Sequence, residues 1–297
     1  MPKPDRPAVR RPVYIRILSW TLRIVLVLLV IFVALNAMMT FRSSDAETQK
    51  SFAEKGVPVQ IHRIPFAGGE LRYVETGLLA DSSPLILFVH GAPGLGNNFY
   101  KYLSDSLLTE KYRLVSIDRP GYGYSNYGQS EPSFRVQAQA VKTVLDRYRP
   151  SKTLLVGHSF GGPVIAQAAL DYPDQVQALL MLAPVNDPDS EPVPWYAGFA
   201  RWPLTRRMLS KAWQVSGDEK FAHVEELRRL QPRWKDLRIP VTHLHGASDF
   251  LAPPRENLDF TRRNIPAEWL TVKELPQGNH FIPFTDFERV REMLLNW

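Results

Sequence analysis

Cysteine is absent from all 297 residues, which removes disulfides, thiolate nucleophiles and cysteine-ligated metals from consideration together. It does not fix a compartment, because a chain without thiols suits reducing and oxidising surroundings alike. Also missing are any zinc-like His/Cys spacing, any internal repeat, and any cluster of lysine and arginine interleaved with aromatic residues, so neither nucleic acid nor a metal is an implied partner. The net charge of +6 is unevenly placed. Lys3, Arg6, Arg10, Arg11, Arg16 and Arg23 against Asp5 alone supply +5 of it, which leaves the rest of the chain nearly neutral.

What is present begins with an apolar run, Ile24 to Thr40, extended on the other side of Arg23 by Ile17 to Leu22. As a helix, the first of these spans roughly 26 Å at about 1.5 Å per residue, close to the hydrocarbon thickness of a bilayer. Its basic flank is N-terminal, while Arg42 on the other side is offset by Asp45 and Glu47. The asymmetry predicts a cytoplasmic N-terminus and a domain on the outer, periplasmic or extracellular side. A cleaved secretory signal is the competing reading, but the run is longer than such signals need and Ala34-Leu35-Asn36-Ala37 is a poor cleavage pattern. Ser44-Asp45-Ala46-Glu47 reads as a capping box and Gly56 as a helix end, so a short helix is expected between the span and the domain.

From there apolar segments of strand length alternate with helical ones. Val59 to Phe66, Glu70 to Thr76, Pro84 to Val89, Tyr112 to Ile117, Thr153 to His158, Ala178 to Ala183, Val241 to His245 and Trp269 to Leu275 read as strands, and Ser133 to Tyr148 and Pro163 to Tyr172 as helices. That alternation predicts an α/β domain with a mostly parallel sheet and helices on both faces. It breaks after Ala183, where Pro184, Pro188, Pro192 and Pro194 crowd a loop. Trp195, Phe199, Trp202, Leu209 and Trp213 then recur at helical spacing, kinked at Pro203, before a helix from about Asp218 to Leu230. The expected organisation is a basic cytoplasmic tail at 1–16, a transmembrane anchor at 17–40, a linker helix at 41–56, a core at 57–184 and 239–297, and a helical cap at 185–238. The cap's aromatic stripe has three readings: ordinary core, a roof whose Trp195, Phe199 and Trp202 touch substrate, or an interfacial helix with Arg201, Arg206, Arg207 and Lys211 at lipid headgroups.

The chemistry centres on Gly157-His158-Ser159-Phe160-Gly161, set between a predicted strand and a predicted helix. Such a turn forces its serine into a sparsely allowed conformation, and side chains two positions away would collide with it, hence the flanking glycines. A serine in that place needs a base to accept its proton and a carboxylate to orient the base. Of seven histidines, His280 alone stands in a glycine-containing loop after the last strand; His158 is locked beside the serine, and His243 and His245 share a strand without a third metal ligand. Asp249 follows the strand Val241 to His245 and is the candidate acid. An oxyanion needs backbone donors. The candidates are the N–H of Phe160 and that of Ala92, in the turn His90-Gly91-Ala92-Pro93-Gly94.

Over about Val57 to Trp297 the chain resembles the capped α/β-hydrolases, the group of esterases, lipases, peptidases and epoxide hydrolases. The resemblance lies in His90-Gly91-Ala92-Pro93-Gly94, Asp118-Arg119-Pro120-Gly121-Tyr122-Gly123-Tyr124-Ser125, the serine turn, Gly246-Ala247-Ser248-Asp249 and Gly278-Asn279-His280, in family order. It implies an eight-stranded sheet with the cap inserted after the sixth strand, a Ser159-Asp249-His280 triad, and no metal or organic cofactor. Some relatives carry the acid after the sixth strand, where Asp187 and Asp189 stand here. The His-Gly-x-Pro turn is shared with epoxide hydrolases and dehalogenases, which use aspartate where this chain has Ser159. The expectation is therefore a membrane-anchored serine hydrolase acting through an acyl-enzyme on a small apolar ester or related acyl compound. Proline iminopeptidase-like or carbon–carbon bond hydrolysis, and a non-catalytic binding domain, stand as alternatives.

Overall fold

The computed structural model describes residues 12–38, 42–191 and 197–297. Eight strands form one sheet: β1 (Gln60–Phe66), β2 (Gly69–Gly77), β3 (Leu85–Val89), β4 (Arg113–Ile117), β5 (Thr153–His158), β6 (Ala178–Leu182), β7 (Val241–Gly246) and β8 (Leu270–Leu275), in the order β1-β2-β4-β3-β5-β6-β7-β8. β1 pairs antiparallel with β2 and β2 with β4, while all pairs from β4 to β8 are parallel. The hairpin closes through Ala67-Gly68, whose φ values of 48° and 78° suit the twist of the strands it joins.

The central strands are apolar throughout because both faces are covered. Leu85, Leu87 and Val89 of β3 enter one core while Ile86 and Phe88 enter the other, and β6 divides in the same way, with Leu179 and Met181 against Ala178, Leu180 and Leu182. On the first face lie α3 (Phe134–Leu145) and α4 (Gly161–Asp171); the second core takes in Phe52, Phe99, Tyr102, Phe287 and Val290. Full burial of one such side chain contributes about 1.5–3 kcal/mol, so period-two patterning holds this sheet between its layers.

Ahead of the sheet, α1 (Val13–Met38) is a single helix whose stretch Val13–Asn36 is long and apolar enough to cross a membrane. It begins four residues before the expected anchor, taking up part of the expected tail, whose residues 1–11 lie outside the described residues. The capping box forms as expected and starts α2 (Asp45–Ala53). Asp45 fastens that helix to the sheet, meeting Arg63 at 3.0 Å and Arg72 at 2.8 Å.

The cap departs from expectation. Of the stripe, Phe199 lies in a short turn, Gly198–Arg201, a second turn, Pro203–Arg206, follows Trp202, and Trp213 belongs to the helix α5 (Lys211–Leu230), which begins well before Asp218. Gly217 does not break it. A side chain there would press within 2.3 Å of Ala200, so the glycine serves close packing of α5 on the first turn. At the start of α3 the N–H of Phe134 is accepted by Glu226 of α5 at 2.9 Å, and the Ser133 side chain makes no cap bond. The sequence reading missed α6 (Pro254–Asn264), between β7 and β8; α7 (Phe287–Leu295) ends the core.

Candidate active site

β5 delivers Ser159 to a turn where its φ is +53°, a left-handed conformation that a non-glycine residue holds only when its surroundings impose it. The surroundings are tight: a Cβ on Gly157 would lie 2.4 Å from the Gly161 carbonyl oxygen, and one on Gly161 would lie 2.3 Å from that of Val89. Only glycine fits either place. Ser159 N–H donates to Leu182 O at 3.0 Å and Gly162 N–H to Ser159 O at 2.9 Å, which ties the turn to β6 and to the start of α4.

Ser159 Oγ lies 3.0 Å from His280 Nε2, and His280 Nδ1 lies 2.7 Å from Asp249 Oδ2. The three predicted side chains thus meet, although 121 residues separate the serine from the histidine. With the Nδ1–H donating to the carboxylate, Nε2 is left to accept the serine proton. The His158 ring donates its Nε2–H to the His280 carbonyl at 2.9 Å and steadies that loop; burial, then the neighbouring His280, depresses its own pKa to about 3. Asp187 does not reach His280: its Oδ1 accepts the N–H of Asp189 at 3.0 Å, a turn inside the hinge of the cap.

Asp249 is saturated with donors. Its Oδ1 takes the N–H groups of Leu251 and Ala252, both at 2.8 Å, and its Oδ2 is also 3.1 Å from His245 Nε2. Burial pushes this carboxyl upward, but the hydrogen bonds from His245 and His280, the His280 charge and the Ala252 amide outweigh it and hold the group well below the ordinary carboxylate range. Sequence reasoning missed His245. Its Nε2 faces both Asp249 and the Ala252 carbonyl, two acceptors, so Nε2 carries the proton and Nδ1 accepts from His243 Nε2–H at 2.9 Å. Two positions apart on β7, the histidines share a face, the one signal in the sequence that they act together.

Phe160 precedes α4, so its N–H points from the positive end of that helix. The turn carrying Ala92 presses directly on the nucleophile, since a Cβ on Gly91 would be 3.0 Å from that of Ser159. Both expected oxyanion donors therefore belong to segments in contact with the serine. Asp118 holds the neighbouring loop, accepting from Gly96 N–H at 3.0 Å and Arg72 at 3.2 Å. Of the expected substrate contacts in the cap, Trp195 lies outside the described residues, and Phe199 and Trp202 are 47% and 59% exposed. The cap meets the elbow through His223 instead, its ring stacked 5.0 Å from that of Phe160. Among the described residues, no three His, Asp or Glu side chains are grouped to hold a metal ion.

The sequence pattern described as alpha/beta hydrolase fold matches residues 84–212, the stretch holding β3 through the start of the cap helix. The fold is that of the α/β-hydrolases. Epoxide hydrolase 1 of Caenorhabditis elegans is 32% identical over 112 residues, 37% of this chain and 27% of that protein. Matches of this kind span between 26% and 42% of the curated relatives' own lengths. Among solved hydrolase folds, the epoxide hydrolase CorEH superposes with a TM-score of 0.65 at 18% identity, over 80% of this chain and 98% of its own. A membrane phospholipase A, described as a bacterial virulence factor, superposes with a TM-score of 0.61 at 20% identity, over 95% of this chain and 98% of its own. That coverage exceeds what the domain from Asp45 onward could supply, so it takes in part of α1.

Proposed function

We propose that this chain is a membrane-anchored serine hydrolase that cleaves apolar carboxylic esters, lipid-borne ones included. The observation that carries the reading is the alignment of Ser159 Oγ, the His280 ring and Asp249 at 3.0 and 2.7 Å. In the first step the Ser159 oxygen bonds to the ester carbonyl carbon as its proton passes to His280 Nε2, and the resulting oxyanion is met by the N–H groups of Ala92 and Phe160. The carbon–oxygen bond to the alcohol then breaks, and the alcohol leaves with the proton from His280. Water attacks the acyl-enzyme with His280 again taking the proton, and the acid departs from a regenerated Ser159. An aspartate at the elbow would suit epoxide opening; a serine supports acyl transfer.

The lipid side rests on α1, on the membrane phospholipase A likeness, and on the face the cap presents beside that helix. Ser210 at the start of α5 donates its N–H to the Asn36 side chain of α1, and Val33 of α1 shares a cleft with Arg201, Arg207 and Lys211. Trp202 and Leu204 are exposed on the same part of the cap. Cations with aromatic and aliphatic groups suit the headgroup boundary of a bilayer, and the orientation that fits the basic N-terminal flank puts this face on the outer side.

A fluorophosphonate probe should label Ser159 of the detergent-solubilised protein, and Ser159→Ala should lower ester turnover by about 10⁶. Asp249→Asn should cost about 10⁴, because His280 then adopts the wrong tautomer, whereas Asp187→Asn should stay near the parent. A folded protein that neither labels nor turns over any ester in a panel of esters, thioesters and aminoacyl amides would be a binding module.

A further inference from the structure

We propose that Arg119, gripped by Glu219 of the cap helix α5, is a positioning residue for the Gly91–Ala92 peptide, so that the seating of the cap sets the strength of the oxyanion hole. The inference deepens the serine-hydrolase reading and rests on it for the role of Ala92. Both side chains are 0% exposed, and the guanidinium grips the carboxylate with two prongs, Nη1 to Oε1 at 2.6 Å and Nη2 to Oε2 at 3.2 Å. Tyr122 O–H adds a third donor to Glu219 at 2.6 Å, and Gln137 a fourth at 3.4 Å. A buried ion pair of this kind loses about as much in desolvation as it gains in attraction, so stability alone is a weak account of it.

The remaining donors of Arg119 all go to one place. Nε donates to His90 O at 2.8 Å and Nη2 to Gly91 O at 3.0 Å. The Arg119 backbone N–H donates to His90 Nε2 at 2.9 Å, which leaves the ring proton on Nδ1, where it donates to the same Gly91 oxygen at 2.7 Å. The Gly91 carbonyl and the Ala92 N–H are the two ends of one planar peptide unit. Two donors on the oxygen fix the plane of that unit and draw charge from its nitrogen, which makes the N–H at the other end a stronger donor to an oxyanion. The guanidinium also lies 4.5 Å over the ring of Phe160, whose N–H is the second donor of the hole. One side chain thus touches both halves of the hole and is held from the cap. Because α5 also packs Ala212 and Val215 with Tyr122 and Ala92, a displacement of the cap helix is carried to that peptide.

The test uses the full chain in nanodiscs, labelled with ¹⁵N-alanine, with a short soluble ester as substrate. Arg119→Lys cannot reach both carbonyls and the carboxylate at once. The double variant Arg119→Met with Glu219→Met removes the pair without leaving a lone buried charge, so it keeps the fold where a single change could lose it. Glu219→Gln serves as a third variant if the double does not fold. Expected in the folded variants is a kcat reduced tenfold or more with KM within about twofold of the parent, together with an upfield shift of the Ala92 amide proton. Parental kcat, or an unmoved Ala92 signal in a folded variant, overturns the proposal. An Ala92 shift in the variants of a parent that hydrolyses no ester sinks the hydrolase reading and leaves standing the positioning of the Gly91–Ala92 peptide by Arg119.

Discussion

At the scale of single residues, four buried histidines are held neutral by burial first, each with a different neighbour adding to the effect. Burial, then Arg119, depresses His90, and burial, then His245, depresses His243; both stand well below their ordinary pKa. Burial with His280 brings His158 to about 3, and burial with Lys220 brings His223 to about 3. In the unfolded chain each titrates near about 6.5. Between those values the unfolded state binds protons that the folded state refuses, so stability falls as pH falls, by up to about 1.4 kcal/mol per pH unit for each histidine. Asp249 acts in the same sense at lower pH: its depressed carboxyl gives stability that is present above its unfolded pKa of about 3.9 and lost below it. The urea midpoint should therefore drop markedly from pH 7.5 to pH 5. An unchanged midpoint over that range would mean these rings already carry protons in the fold.

At the scale of elements, the cap divides its work between two faces. α5 turns Val215, Glu219, His223 and Leu227 inward, while the preceding turns leave Phe199, Trp202 and Leu204 at 47%, 59% and 62% exposure. Replacing Trp202 and Leu204 together by serine should lower hydrolysis of esters embedded in the same vesicles as the protein by roughly a hundredfold or more, given about 1.5–3 kcal/mol for each of the two lost apolar insertions, while kcat/KM for a short soluble ester stays within about twofold. Equal losses on both substrates would return these side chains to the substrate pocket. The division also marks what could be read in advance. Strands β3 to β7 were legible because covered strands are apolar at every position, and Ser159 because a tight turn dictates its glycines locally. The start of α5 was not, since Gly217 reads as a breaker until Ala200 is seen against it. Neither was Arg119 with Glu219, nor Glu226 on α3, for those partners sit about ninety to a hundred residues apart and no local pattern records them. His245 escaped for a different reason: its face was visible, but the fold of the loop that brings Asp249 back to it was not.

At the scale of the whole molecule, with α1 placed across a bilayer as proposed, the basic flank before it and the domain after it define a vector. A phosphatase fused after Trp297 should behave as an exported enzyme, and cytoplasmic behaviour would reverse the orientation. The junction between α1 and α2 gives that vector a further meaning. Met38 and Asp45 bound the two helices, so six residues separate them and the domain can rise no more than roughly 25 Å above the end of the anchor. Asp45 and Thr48 are in turn fastened to Arg72 in the sheet, so the leash does not lengthen by peeling α2 away cheaply. With α1 in a bilayer, the domain is confined to its own membrane. A hydrolase tethered in this way would meet substrate by lateral diffusion in two dimensions, at a rate set by surface density rather than bulk concentration, and an ester in an opposing vesicle would stay beyond its grasp until the two membranes touched.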